Sequence, residues 1–219
     1  LLATGRGKRY TTMRTTHTSL PFADHALHFV EFDPASCHDH DLLWLPHHAQ
    51  LLSSGRKRKA EHLAGRIAAV HALREFGLKT VPGIGTQRQP VWPQGLFGSI
   101  SHSASTALAV VSRQPVGIDI EAIFTPQTAT ELASSIVTHA EKELLANSGL
   151  SIEKALTLAF SAKESAFKAT RTSRQADAGF TQYQIVVLQR NQMILRAHHQ
   201  TYRVQWRFSD NAVITLATV

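Results

Sequence analysis

Asp119 and Glu121 are two carboxylates at a spacing that could bind a metal ion. They stand in Gly117-Ile118-Asp119-Ile120-Glu121, where the isoleucines favour a β-strand. On a strand, residues two apart project from the same face about 6.6 Å apart, so both carboxylates share one side while Ile118 and Ile120 face a core. Two like charges held this close favour a cation between them, and Mg²⁺ prefers carboxylate and phosphate oxygens. A solvated strand end would have the same pattern, so both interpretations remain open.

Glu164 and Lys168 form a second candidate pair, within Phe160-Ser161-Ala162-Lys163-Glu164-Ser165-Ala166-Phe167-Lys168. Residues four apart are neighbours on a helix surface. Glu164 lies between Phe160 and Phe167, which are expected to point inward. Its carboxylate is therefore expected to be partly buried, and it needs a metal ion or a lysine as partner. An ordinary exposed ion pair is the alternative.

A run of small hydroxyl residues, Gly98-Ser99-Ile100-Ser101-His102-Ser103, surrounds one histidine at the end of a predicted strand. Serine hydroxyls and turn amides form anion sites, and a histidine can donate to phosphate. A hydrogen-bonded surface histidine is the alternative. No acidic residue at a recognisable spacing completes a Ser-His-Asp triad, which argues against nucleophilic catalysis.

Arg58, His62 and Arg66 follow one another at intervals of four in a predicted helix. Arg58 and Arg66 then lie about 80° apart around the helix axis, so both can reach one polyanion. Guanidinium groups bind phosphates in bidentate fashion, which suits a nucleotide with several phosphates. A solvated basic helix is the alternative.

The apolar periodicity predicts two rounds of helices followed by β-hairpins, which is typical of an α+β fold. A basic amphipathic helix is predicted within residues 55–79, with its end at Gly77. The predicted strands are Phe97–Ser101, Thr106–Ser112 and Val116–Glu121, taken as neighbours, followed later by Tyr202–Phe208 and Ala212–Val219. A capping box predicts a helix from Thr138 to Leu145, and a longer helix is predicted over residues 151–170. The expected organisation is an unstructured extension at 1–12, an N-terminal half at 13–114 and a C-terminal half at 115–219.

Composition limits the class of protein. The 219 residues are 43% hydrophobic, enough for a core, and the net charge of +7 favours an acidic partner. Cys37 cannot form an intrachain disulfide, and no membrane span or signal segment is evident, so a cytoplasmic protein is expected. The thirteen histidines lack the spacing of a structural zinc site.

Five motifs in order resemble the Sfp-type 4′-phosphopantetheinyl transferases, from about Met13 to the C-terminus. They are Ala64-Gly65-Arg66, Arg88-Gln89-Pro90 with Trp92-Pro93, Ile100-Ser101-His102, Gly117-Ile118-Asp119-Ile120-Glu121, and Lys163-Glu164-Ser165 with Lys168. Phe160 stands where many members have Trp. The resemblance implies a monomer of two similar α+β halves related by a pseudo-twofold axis, with coenzyme A in the cleft between them. It also implies the reaction: a serine of an apo carrier protein attacks the β-phosphate of coenzyme A and releases adenosine 3′,5′-bisphosphate.

The resemblance also implies roles for single residues. Asp119, Glu121 and Glu164 would hold Mg²⁺, and Glu164 could also act as general base. Lys168, together with Lys163, would stabilise the departing phosphate. The remaining contacts to coenzyme A would come from His102, Ser101, Arg66, Arg58, Arg88 and Pro90.

The implied partners are aryl and peptidyl carrier protein domains of a nonribosomal peptide synthetase that makes a siderophore of the enterobactin type. Such carriers are generally acidic, so the positive net charge would steer their encounter. The segment between Phe124 and Ser148 is the expected docking region. Two rival interpretations are a basic nucleic-acid-binding module, which leaves Asp119 and Glu121 without a role, and a metal-dependent phosphohydrolase that uses water in place of a carrier.

Overall fold

In the part of the chain that the structure describes, a four-stranded and a five-stranded β-sheet belong to two different units, divided in the sequence between Arg113 and Gln114. The computed structural model describes residues 11–170 and 179–219. Most of the extension predicted at 1–12 lies outside these residues, but the hydroxyl of Thr12 donates to the Asp41 carboxylate at 2.9 Å. Among the helices of the described residues, none has the length and apolar character that crossing a bilayer requires.

Unit 1, up to Arg113, consists of an antiparallel sheet with one long helix packed across it. The elements are β1 (Thr15–Phe22), β2 (His25–Phe32), α1 (Arg56–Arg74), β3 (Gly83–Ile84), β4 (Pro90–Val91), β5 (Phe97–Ser103) and β6 (Thr106–Ser112). The sheet order is β1-β2-β6-β5, and β3 and β4 form a separate hairpin. Apolar residues of α1 such as Leu63, Ile67 and Leu73 are buried against β2, β5 and β6. The helix ends at Arg74, and the turn beyond it uses Gly77 at a φ of +75°.

Unit 2, from Gln114, has the same kind of architecture with more helices. Its elements are β7 (Val116–Ala122), α2 (Pro126–Ile136), α3 (His139–Ala146), α4 (Ile152–Ala169), β8 (Gln184–Leu188), β9 (Met193–Ala197), β10 (Gln200–Phe208) and β11 (Ala212–Thr218). The antiparallel sheet has the order β7-β11-β10-β9-β8, and α4 packs across β7 and β11. Each unit thus combines an antiparallel sheet with helices, as the α+β prediction states.

The prediction that the three strands now labelled β5, β6 and β7 lie side by side is only half right. β5 and β6 do pair, from Phe97 opposite Ser112 to Ser103 opposite Thr106. β7 was expected beside β6, and that expectation is wrong: β7 pairs with β11, with Asp119 opposite Thr215. Sequence neighbours usually pair because short connections favour it. Here the chain passes from one core to the other between β6 and β7, so β7 instead pairs with the last strand.

Locally encoded elements are confirmed. The Thr138 hydroxyl accepts a hydrogen bond from the Glu141 amide at 3.2 Å, and the Glu141 carboxylate accepts one from the Thr138 amide at 2.9 Å, which completes the predicted capping box. The hydroxyl of Ser151 caps α4 by accepting from the Lys154 amide. Among the described elements, six strands and one helix were not predicted: β1, β2, β3, β4, α2, β8 and β9.

Candidate functional site

Asp119 occupies the centre of β7 with 3% of its surface exposed, and both of its carboxylate oxygens are engaged. The Ser161 hydroxyl on α4 donates to Oδ2 at 2.8 Å. The Lys168 amine, two helical turns further along α4, donates to Oδ1 at 3.2 Å and to the Ile118 carbonyl at 3.1 Å. The structure therefore brings Asp119 of the strand together with Lys168 of the helix, a contact that the sequence analysis, which paired Lys168 with Glu164, did not predict.

Glu121 and Glu164 lie close enough to Asp119 to change their own proton affinities. Burial, then the charge of Asp119 and a hydrogen bond between the two carboxyl groups, raise the pKa of Glu121 to about 8. Burial and the charge of Asp119 also raise the pKa of Glu164, while Lys168 opposes that rise. Asp119, Glu121 and Glu164 thus form one acidic cluster, although Glu164 comes from α4 and the other two from β7.

The chemistry of the acidic cluster fits a hard divalent cation. Among the described residues, no three His, Cys, Asp or Glu side chains are already gathered as a ligand set. Mg²⁺ does not require three, because it usually takes one or two protein carboxylates and fills its other positions with water and substrate phosphate. All donors of the cluster are carboxylate oxygens. Burial, and after it the charge of Asp119, raises the pKa of Glu121, and a bound cation would offset that negative charge.

Gly117 allows α4 to lie against β7 closely enough to form this cluster. A Cβ atom at residue 117 would overlap the carbonyl oxygen of Ser165 and come within 2.7 Å of the Ala169 amide nitrogen. Only a glycine therefore fits this approach without moving the helix. Glu164 and Lys168 lie on the same stretch of helix, so the close approach sets their distance from Asp119.

Lys163 is not part of the acidic cluster. Its amine is buried, 3.0 Å from Glu141 Oε1 and 2.8 Å from the Ile136 carbonyl, and it lies over the ring of Phe180. Glu141 Oε2 accepts a further hydrogen bond from the Ile185 amide at 2.8 Å. This ion pair links α3, α4 and β8. Lys163 therefore has a structural contact in place of the phosphate contact that the sequence suggested.

In unit 1, the predicted basic residues lie around His62 of α1. Burial, and then the positive charges of Arg66, His47, Arg58 and Arg88 in that order, lower the pKa of His62 to about 3. All three predicted arginines therefore lie within electrostatic range of one imidazole. His62 is thus neutral at neutral pH, and its Nε2 atom lies 2.8 Å from Nε2 of His47. We call Arg58, His62, Arg66 and Arg88 the basic face.

Arg66 is the buried member of the basic face. Its Nε donates to the Pro82 carbonyl and its Nη2 to the Gly83 carbonyl, each at 2.9 Å, and burial lowers its pKa to about 10. These bonds use two of the five guanidinium donors and fix the plane of the group. Arg66 therefore connects α1 to the β3–β4 hairpin.

The other candidate residues of unit 1 lie on that hairpin and on β5. Arg88 is in the hairpin turn at a φ of +64°, and Pro90 begins β4. On β5, Ser101 is buried, while the half-exposed His102 has Nδ1 3.6 Å from Glu61 Oε2.

Sequence reasoning gave no role to two residues that contact Asp119 directly or indirectly, Ser161 and Thr215. Ser161 was visible inside the motif that contains Glu164 and Lys168, and its position one turn before Glu164 was the available signal. Thr215 carried no local signal, because only the pairing of β7 with β11 brings it opposite Asp119.

Comparisons with known proteins agree over both units. Residues 47–112 match the 4′-phosphopantetheinyl transferase N-terminal domain, and residues 115–217 match the 4′-phosphopantetheinyl transferase superfamily. Enterobactin synthase component D of Escherichia coli O157:H7 is 63% identical over 204 residues, which is 93% of this chain and 98% of that protein. The protein of the same name from Salmonella typhi is 56% identical over 94% of this chain and 91% of its own length. The 4′-phosphopantetheinyl transferase PptT of Mycobacterium tuberculosis is 39% identical over 35% of this chain and 37% of its own.

Proposed function

This chain belongs to the 4′-phosphopantetheinyl transferase superfamily, and we propose that it transfers the phosphopantetheine arm of coenzyme A to a serine of apo carrier protein domains in enterobactin synthesis, with Mg²⁺ as cofactor. The family and the name of its relatives support the transferase activity and the carrier substrate. The observation that carries the proposed mechanism is the acidic cluster, in which two carboxylates of β7 meet a third from α4 beside the Lys168 amine.

In this proposal Asp119, Glu121 and Glu164 would hold Mg²⁺, which when bound supplies positive charge that neutralises the diphosphate of coenzyme A. Lys168 already donates to Asp119. A lysine next to the ligands can also donate to the phosphate that becomes the leaving group, where negative charge increases during transfer.

The carrier serine requires a base, and Glu164 is our candidate. Burial raises its pKa above the ordinary value of 4.5, and a carboxylate whose pKa lies closer to neutrality accepts a proton more readily. The serine hydroxyl proton passes to Glu164 as the serine oxygen bonds to the β-phosphorus of coenzyme A. The bond from that phosphorus to the bridging oxygen breaks, and adenosine 3′,5′-bisphosphate leaves with the electron pair.

Coenzyme A also carries a 3′-phosphate on its ribose, and we assign it to the basic face. Arg58, Arg66 and Arg88 act there as guanidinium donors, with Ser101 and His102 as further phosphate contacts. Burial, and after it the positive charges of these arginines, depresses the pKa of His62, and the same charges support an anion at this place. Lys163 has no part in the transfer step in this proposal, because its amine is paired with Glu141.

The direct test is to incubate the purified protein with coenzyme A, Mg²⁺ and an apo carrier protein and to measure the intact mass of the carrier. We expect one phosphopantetheine addition per carrier domain, lost when EDTA removes the metal. Glu164→Gln should stop transfer, while Glu143→Gln on the exposed surface of α3 should not.

Two outcomes would contradict the proposal. An unmodified carrier in the presence of Mg²⁺ would exclude the transferase activity under these conditions. Breakdown of coenzyme A at an equal rate with and without carrier would instead favour the phosphohydrolase.

A further inference from the structure

We propose that Ser161 and Thr215 are positioning residues that fix the Asp119 carboxylate for binding of Mg²⁺. The inference rests on the proposed function, since it concerns the same metal site. It adds two residues, one on α4 and one on β11, that do not contact the metal or the substrate themselves.

The first observation is a chain of hydrogen bonds behind Asp119. The Ser161 hydroxyl donates to Asp119 Oδ2 at 2.8 Å, and its oxygen lies 2.8 Å from the Thr215 hydroxyl oxygen. The Thr215 hydroxyl also lies 2.9 Å from the Ser161 carbonyl, to which it can donate. Thr215 stands directly opposite Asp119 in the β7–β11 pair, so both side chains are on the same face of the sheet.

The number of hydroxyl protons shows which group donates in each of these hydrogen bonds. Ser161 has one hydroxyl proton and donates it to a carboxylate oxygen, which in its ionised form only accepts. Thr215 must then be the donor in its contact with Ser161, and its single proton is shared between the Ser161 hydroxyl oxygen at 2.8 Å and the Ser161 carbonyl at 2.9 Å. Thr215 therefore orients Ser161, and Ser161 orients Asp119.

Burial makes these bonds hard to replace. Ser161 and Thr215 are fully buried, and Asp119 is 3% exposed. A hydroxyl removed from such a place leaves a carboxylate oxygen without its donor, at a position where bulk water does not reach it. Without the Ser161 donor, Oδ2 of Asp119 would no longer be held in one position, and the carboxylate would no longer present a fixed oxygen to a cation. Groups that orient metal ligands in this way typically change metal affinity by roughly 10- to 100-fold when mutated.

The experiment compares two substitutions of the same residue. Thr215→Val keeps the shape of the side chain and removes the hydroxyl, whereas Thr215→Ser keeps the hydroxyl and removes a methyl group. The Kd of Mg²⁺ is measured by isothermal titration calorimetry of the protein with coenzyme A, with no carrier present, and the melting temperature is measured in parallel. We expect Thr215→Val to raise the Kd about tenfold and Thr215→Ser to leave it near the wild-type value, even where Thr215→Ser lowers the melting temperature more.

A second comparison uses two serines of the same helix. Ser161→Ala should weaken Mg²⁺ binding, whereas Ser165→Ala should not, although Ser165 is equally buried, because its hydroxyl donates only to the Ala162 carbonyl. In the transfer reaction, Ser161→Ala should raise the Mg²⁺ concentration needed for half-maximal rate, and excess Mg²⁺ should restore most of kcat.

The outcomes separate the inference from the function on which it rests. If the wild type binds Mg²⁺ and Thr215→Val and Ser161→Ala bind it equally well, the positioning role is wrong while the metal site stands. If both Thr215 variants weaken binding in proportion to their loss of stability, the residues act through packing alone and the inference is overturned. A wild type that shows no Mg²⁺ binding overturns the metal site and the inference with it.

Discussion

Gly117 of β7 lies so close to Ser165 of α4 that a Cβ atom at residue 117 would overlap the Ser165 carbonyl oxygen. Gly117→Ala should therefore force α4 away from the strand and separate Glu164 from Asp119. We expect a loss of about 2 kcal/mol or more in the free energy of unfolding and a large loss of kcat, measured by urea denaturation and by carrier modification. Gly55→Ala, where an added methyl meets no atom within 4 Å, is the control. An active, stable Gly117→Ala protein would show that this approach is not required.

The buried pair of Lys163 and Glu141 predicts strong coupling between two variants. Each group is about 2% to 3% exposed in its side chain, so removing one partner leaves an uncompensated charge, at a cost of about 3 kcal/mol or more. Lys163→Met and Glu141→Gln should each destabilise the protein, and the double variant should lose clearly less than the sum. A double-mutant cycle in urea measures this coupling.

The same variants test whether Lys163 contacts the substrate. A folded Lys163→Met/Glu141→Gln protein should keep a KM for coenzyme A close to that of the wild type. A large increase in this KM, with the fold intact, would return Lys163 to the substrate-binding residues.

Stability should fall in mild acid because of three stacked histidines in unit 1. His17 lies between His28 and His71, with ring centroids 5.2 and 3.6 Å away, and Arg74 adds positive charge while Glu75 pairs with His28. Burial, and after it the positive charges of His17, Arg74 and His28, lower the pKa of His71 from 6.5 to about 3, and burial lowers the pKa values of His17 and His28.

A histidine with a lowered folded-state pKa contributes its full stability above pH 6.5, and that contribution is lost as the pH falls toward 3. His71 alone should lower the free energy of unfolding by about 1.4 kcal/mol for each pH unit in this range, which amounts to roughly 2 kcal/mol at pH 5. Urea denaturation at a series of pH values from 7.5 to 5 measures how steeply the free energy of unfolding falls with pH. His71→Phe should flatten this slope and the exposed His139→Gln should not; equal slopes in all three proteins would contradict the prediction.

Arg66 should determine how strongly the 3′-phosphate of coenzyme A is recognised. Lysine cannot reproduce the two fixed guanidinium bonds to the Pro82 and Gly83 carbonyls. We expect Arg66→Lys to raise the KM for coenzyme A by about tenfold, a bidentate contact being worth on the order of 1.4 kcal/mol. It should have less effect on dephospho-coenzyme A, which lacks that phosphate.

The exposed Lys57 of the same helix offers the control, as Lys57→Gln. A KM that rises equally for both substrates in Arg66→Lys would mean that Arg66 only supports the fold of unit 1.

The sequence was informative where structure is encoded locally. The capping box of Thr138 and Glu141 and the cap of Ser151 involve residues three apart, so α3 and α4 were predicted close to their observed bounds. The carboxylates of β7 were found because strand geometry alone puts alternate residues on one face.

Long-range partners were beyond such reasoning. The partner of Lys163 is 22 residues away in Glu141, and no periodicity links the two, so the lysine was placed with the phosphate contacts. β7 was assigned to the wrong neighbour for the same reason: its true partner, β11, lies at the other end of the unit. The half-buried strands β1 and β2 lack the clean alternation that would have revealed them.

In the mechanism that we propose, the pairing of Asp119 with Thr215 makes the alignment of β11 with β7 a requirement for metal binding. If β11 slipped by one residue during folding, Ile214 or Leu216 would stand opposite Asp119, and the threonine hydroxyl would turn to the other side of the sheet. A chain misaligned in this way could retain most of its helices and hydrogen bonds and still lack a usable ligand. In this proposal, correct alignment of β11 with β7 is thus a condition for activity as well as for stability.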